Sequence, residues 1–147
     1  YVKLEKLWEK NKEAALSYHK RYYKEKCDKI PGWILQGVYV DITGQKLIYK
    51  RPQMLHLLKA CRNGEVDCIA AQTKANSEEF CYLLKFLSEM PGLIELVTED
   101  EKYHINTIMN PEQQKEALEK MADDYVKLDE AKYKKWKEKI LQGIQEL

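Results

Sequence analysis

Glycine is scarce here, six residues in 147, and neither a G-x-G-x-x-G nor a P-loop spacing occurs, so the chain has no backbone cradle for a nucleotide's phosphates. No run of eighteen apolar residues is present, which excludes a membrane-spanning helix. A charge excess is missing too: 25 basic residues against 24 acidic ones leave a formal net charge of +1. Any nucleic-acid site must therefore be a local patch. The four cysteines, Cys27, Cys61, Cys68 and Cys81, lack the C-x-x-C spacing of a zinc or redox site and read as reduced, core-packing thiols of a cytoplasmic protein. His19, His56 and His104 are too scattered for a metal site or a Cys–His nucleophile pair. The Lys- and Glu-rich first residues have none of the pattern of a secretory signal. No metal, cofactor or nucleotide is expected.

What is present fits one apolar core, at 44% apolar residues. The organising stretch is Pro31 to Ala71. Ile34 to Val40 alternates, with three β-branched positions, and predicts a strand with Ile34, Val38 and Val40 on one face and Asp41 at its end. Pro52 suits a first helical turn, Met54, Leu57, Leu58 and Cys61 give the apolar stripe, and Asn63-Gly64 gives a left-handed stop. Val66 to Ala71 is apolar apart from Asp67, as in a strand covered on both faces. Strand, helix, strand, with the strands parallel, is the reading.

Around this unit, Tyr1 to Leu4 reads as the end of a strand, and Asn11 to about Ile30 as a helix with Ala14, Ala15, Tyr18, Tyr22 and Cys27 on one side. Asn76 with Glu79 starts another helix, with Phe80, Leu83, Leu84 and Leu87 inward. Leu93 to Thr98 follows as a strand. Asn110-Pro111 opens a helix that nothing obvious stops before Gly143. Two apolar stripes along it are offset around Asp129 to Lys132, which suggests two packing partners. The fold expected is an α/β, three-layer domain over residues 1–109, with a central, largely parallel sheet of about four strands flanked by helices. Residues 110–147 then form one long protruding helix.

The same central residues carry a resemblance. A Gly-Trp, an extended run ending in Asp, ten residues to an Arg-Pro, a helix, then G-x-V-D and a buried strand resemble the catalytic domain of serine recombinases, the resolvase and invertase family. The resemblance implies that Asp41 and Arg51 occupy active-site positions. YVKLE falls where that family has Tyr-x-Arg-x-Ser, so Lys3 stands for an arginine and Glu5 for the nucleophilic serine. A serine hydroxyl attacks a DNA phosphodiester while arginines neutralise the pentavalent transition state. A carboxylate is repelled by that phosphate, and a lysine lacks the two-pronged guanidinium geometry. The family's loop after the third strand holds two arginines three residues apart. Gln72 to Ser77 is shorter by about five residues and keeps Lys74 alone as a cation.

In that family the long C-terminal helix makes the dimer and then lies along the DNA minor groove. Met121, Tyr125, Leu128, Tyr133, Trp136 and Ile140 are the corresponding dimer candidates, and Lys132, Lys134, Lys135, Lys137 and Lys139 the DNA-facing ones. The helix-turn-helix region that follows in these recombinases is not in the sequence. The expectation is a recombinase-like pseudoenzyme of a mobile element that has lost strand cleavage and persists as a homodimeric, weakly and non-specifically DNA-binding subunit or regulator. Two alternatives stand beside it. One is a protein-interaction module using Tyr125, Tyr133 and Trp136 without DNA. The other is a phosphodiesterase-type enzyme with Glu5 and Asp41 as paired carboxylates around a metal.

Overall fold

Val2–Leu4 (β1) and Val40–Ile42 (β2) pair in parallel in the computed structural model, with Val2 opposite Val40, Lys3 opposite Asp41 and Leu4 opposite Ile42. Cys68–Ala71 (β3) and Glu95–Thr98 (β4) form a second parallel pair. The described helices are Lys12–Asp28 (α1), Pro52–Arg62 (α2), Glu78–Ser88 (α3) and Glu130–Gln145 (α4), with 3-10 turns at Lys6–Asn11 and Ile48–Lys50. The structure describes residues 1–71, 78–90, 94–98, 112, 116 and 129–147. The α/β class stands: mostly helical, with a small parallel sheet and a C-terminal helix. Among the described residues no helix is long and apolar enough to cross a membrane.

Alternation along the strands sorts the core into two apolar clusters on opposite faces. Val2 and Val40 pack with Tyr23 of α1, and Leu4, Ile42 and Ala70 lean on that cluster. Tyr1, Ile69 and Ala71 belong instead to the larger cluster built by α2, α3 and α4. Helices therefore cover both faces. The strands are present as two separate parallel pairs where about four in one sheet were expected. The pairs meet where the Tyr1 nitrogen donates to the Ala70 carbonyl at 2.6 Å.

Two local expectations change. The strand predicted over Ile34 to Val40 is paired only from Val40 onward, and Ile34 is 82% exposed. The register sets Val2 opposite Val40, and among the described residues no strand is paired with 34–38. On α1 the buried residues are Ala15 and Tyr23, while Ala14 and Tyr18 are exposed. The helix is rotated so that Tyr23 meets Val2 and Val40.

α2 and α3 follow their sequence signals. Met54, Leu57, Leu58 and Cys61 are buried, and Gly64 takes a positive φ of 76° past the end of α2, where a side chain would be strained. α3 buries Phe80, Leu83, Leu84 and Leu87, and also Tyr82 and Phe86, because α4 lies against it. The Asn76 cap and the Asn110-Pro111 helix start lie outside the described residues.

α4 does not protrude. It starts afresh at Asp129, whose Oδ1 accepts from the amides of Ala131 (3.0 Å) and Lys132 (3.2 Å), so the offset between the two stripes is a helix start. Tyr133, Trp136, Ile140 and Ile144 then share one apolar cluster with α2 and α3, so residues 130–145 are part of the main core. Gly143 allows a close approach, since a Cβ there would stand 3.0 Å from Leu55 Cδ1. Two glutamates fix the helix. Glu79 Oε2 accepts from Trp136 Nε1 at 2.9 Å, and Glu89 Oε2 from the Tyr133 hydroxyl and Lys137 Nζ, both at 2.8 Å.

Ile140 is fully buried, so Ile140→Ala should lower the unfolding free energy by about 2–5 kcal/mol in urea titration. A loss below about 0.5 kcal/mol would mean that α4 is not docked. Burial pushes the Glu89 carboxyl up, but hydrogen bonds from Lys137 and Tyr133, with the charges of Lys137 and Lys85, hold it below its ordinary 4.5. A carboxyl depressed in the folded state contributes stability above its unfolded pKa and loses it as pH falls through the folded one. The stability difference between wild type and Glu89→Gln should therefore be constant near neutrality and shrink below about pH 4.5 in thermal unfolding across pH.

Candidate functional site at the ends of the first two strands

The parallel register sets Lys3 beside Asp41 and leaves Glu5 one residue beyond the end of β1. Lys3 is half-buried and Glu5 exposed. Asp41 is only 5% exposed, and both of its oxygens are engaged. Oδ1 accepts from the Gln53 amide at 3.0 Å; Oδ2 accepts from the Met54 amide at 3.0 Å and the Tyr1 hydroxyl at 2.8 Å. Gln53 and Met54 lie in the first turn of α2, where amides lack intrahelical partners and the dipole favours negative charge. Arg51, next to Pro52, supplies no side-chain cap. A carboxylate from the adjacent strand does that work.

Arg51 turns the other way. Its Nε donates to the Gln45 carbonyl at 2.8 Å and its Nη2 to the Lys46 carbonyl at 3.0 Å, which ties the loop after β2 to the start of α2. The loop is also bent internally: the Gln45 amide donates to Thr43 Oγ1 at 3.0 Å and the Leu47 amide to Gln45 Oε1 at 3.2 Å. Burial, then the charge and hydrogen bond of Asp41, push the Tyr1 phenol well above its ordinary value, against a smaller opposing effect of Arg51. Tyr1 thus stays protonated and donates.

The structure brings Lys3, Asp41 and Arg51 to one end of the β1–β2 pair, with Glu5 at its rim. Lys74 lies outside the described residues, as do Met121, Tyr125 and Leu128. Of the lysines on α4, Lys132, Lys134, Lys135 and Lys139 are exposed. Lys137 is paired with Glu89, and Lys139 Nζ sits 4.9 Å from the centre of the Tyr49 ring. Tyr133, Trp136 and Ile140, expected at a dimer contact, are covered within the same chain at 8%, 3% and 0% exposure. Compared with protein-family models, curated proteins and solved structures, the chain matches none.

The arrangement can carry positive charge toward an anion through Lys3 and the remaining Arg51 donors, but it presents no hydroxyl at position 5. A metal held between Glu5 and Asp41 would compete with the α2 amides and the Tyr1 hydroxyl for the Asp41 oxygens. Among the described residues no cluster of three or more His, Cys, Asp or Glu side chains is placed to hold a metal. Burial pushes the Cys61 thiol up to about 12, which makes it inert as a nucleophile. Sequence reasoning missed Tyr1, Glu79 and Glu89. Glu79 was legible only as a helix-start residue, and nothing local marks the Tyr1 phenol as the partner of a carboxylate forty positions away.

Asp41→Ala should cost about 1–3 kcal/mol of unfolding free energy, because it leaves a buried amide, a part-buried amide and a buried phenol without their acceptor. Tyr1→Phe, which removes one donor, should cost about 0.5–1.5 kcal/mol. Urea denaturation of both variants measures this, and equal stability of Asp41→Ala and wild type would refute the capping role.

Proposed function

We propose that this chain is a serine-recombinase-type domain of a mobile element that no longer cleaves DNA and acts as a dimerising, DNA-associated subunit or regulator. The observation that carries this reading is the state of Asp41. The carboxylate at the family's active-site position has both oxygens taken up by α2 and Tyr1, beside a strand end where Glu5 replaces a serine. The parallel β1–β2 and β3–β4 pairs, with helices between them in sequence, support the family topology. On this reading the two pairs are halves of one four-stranded sheet joined at Tyr1 and Ala70. The four cysteines are free thiols, consistent with a cytoplasmic setting. The exposed DNA-facing candidates are Lys132, Lys134, Lys135 and Lys139, with Lys137 paired to Glu89, and a dimer contact would draw on Met121, Tyr125 and Leu128 with Tyr133, Trp136 and Ile140 already used.

A second reading, an interaction module without DNA, is favoured by exposed apolar side chains at the opposite end of the chain, with Leu7 70% and Trp8 43% exposed. DNA binding separates the two. Duplex DNA should bind with Kd of roughly 1–100 µM, and changing Lys132, Lys134 and Lys135 to Gln should flatten the slope of log K against log salt by about 2–3. No measurable binding at low salt would leave the interaction module. Neither wild type nor Lys3→Arg/Glu5→Ser should form a covalent adduct with supercoiled plasmid in denaturing gels. Each missing charged donor costs about 2.7–4 kcal/mol of transition-state stabilisation, and two are missing. An adduct from wild type would overturn the non-cleaving reading.

A further inference from the structure

The positive charge of the chain is concentrated. From the middle of α1 to its C-cap, Lys20, Arg21, Lys24, Lys26 and Lys29 stand against Glu25 and Asp28, a net of +3 in a chain that sums to +1. All five cations are exposed. Lys24 lies 3.4 Å from Asp28, an exposed pair that solvent screens. Helical spacing sets Tyr18, Arg21, Tyr22, Glu25, Lys26 and Lys29 along one side.

That side also carries an aromatic platform. The Tyr18 and Tyr22 rings stack with centroids 6.0 Å apart and 16° from parallel, and His19 meets Tyr18 edge-on at 5.1 Å. Lys26 Nζ stands 4.6 Å from the centre of the Tyr22 ring, which holds a cation beside the stack. Tyr22 is half-buried and leans on the cluster of Val2, Tyr23 and Val40, so the platform has a firm back. Tyr18 is nevertheless 54% exposed. A ring already held by its neighbours loses little rotamer freedom when something stacks on it.

Charge alone suits any polyanion, and the ring selects among them. A carboxylate chain has no flat face to lay on Tyr18, and in a duplex the base faces are covered by neighbouring pairs. A single strand offers phosphates and open base faces together. We propose that this side of α1 binds single-stranded nucleic acid without sequence preference, one base stacking on Tyr18 while Arg21, Lys26 and Lys29 contact phosphates along the helix. Glu25, among these cations, opposes the phosphates and keeps the binding weak. The surface uses none of the α4 lysines, and the inference does not rest on the recombinase reading.

The test is binding of a fluorescein-labelled oligothymidylate to the full chain, read by anisotropy at low salt. Wild type should bind with Kd of roughly 1–100 µM. Tyr18→Ala should weaken this about fivefold or more and leave duplex binding unchanged, whereas Tyr18→Phe, which keeps the ring, should bind as wild type does. Changing Arg21, Lys26 and Lys29 to Gln should flatten the slope of log K against log salt by about 2. Changing Lys132, Lys134 and Lys135 to Gln should leave oligothymidylate binding intact. Absence of binding, wild-type affinity in Tyr18→Ala, or loss of binding in the α4 variant instead overturns the proposal. So does an oligoglutamate peptide that displaces the labelled strand as readily as unlabelled oligothymidylate, because the surface would then read charge alone.

Discussion

The carboxylate of Asp41 is the joint on which the described structure turns. It arrives on β2, meets the amides that open α2, and accepts a hydrogen bond from the phenol of Tyr1, the residue before β1. Three elements distant in sequence are fixed by one side chain. The arrangement is stable because each oxygen has donors and the helix terminus is a favourable site for negative charge. The same satisfaction limits chemistry. A carboxylate with three of its about four acceptor sites taken by two amides and a phenol is poorly placed to abstract a proton.

Around that joint, the domain is closed by α4. Trp136 supplies the central contact, 5.5 Å from the Tyr82 ring and 5.9 Å from Phe86, and the polar edges of Tyr133 and Trp136 find Glu89 and Glu79. Aromatic side chains with one polar atom suit such a seam, because the ring buries area while the N–H or O–H reaches an acceptor at the margin. The basic residues of the helix are left on the outside or folded over Tyr49. A helix that looks from its composition like a DNA-facing rod is thus half core.

The legible parts of the fold were those with local signals. Pro52, the stripe through Cys61 and Gly64 mark α2 at both ends, and the apolar run before Ala71 marks β3, because each depends on near neighbours in the chain. The failures depended on distant partners. Ile34 to Val38 alternate as a strand should, yet a strand also needs a partner, and among the described residues β1 pairs with Val40–Ile42 alone. The stripe of α4 is buried from Tyr133 to Ile144, while Leu147, which continues it in sequence, is exposed, and a stripe does not say whose surface covers it. At the candidate site the positions of Asp41 and Arg51 were read from the resemblance. Their actual partners, amides and carbonyls of the loop and helix start, carry no side-chain signature in the sequence.

One oxygen of Glu79 accepts both the Ile48 amide and the Trp136 indole, each at 2.9 Å. The turn that leads into α2 and the C-terminal helix therefore share an acceptor, although they stand 88 positions apart by residue number (136 − 48). Detaching the helix exposes that oxygen to water and weakens its hold on the turn; loosening the turn does the same to the helix. Segments tied in this way open together, so the turn before α2 and the C-terminal helix belong to one cooperative unit despite their separation.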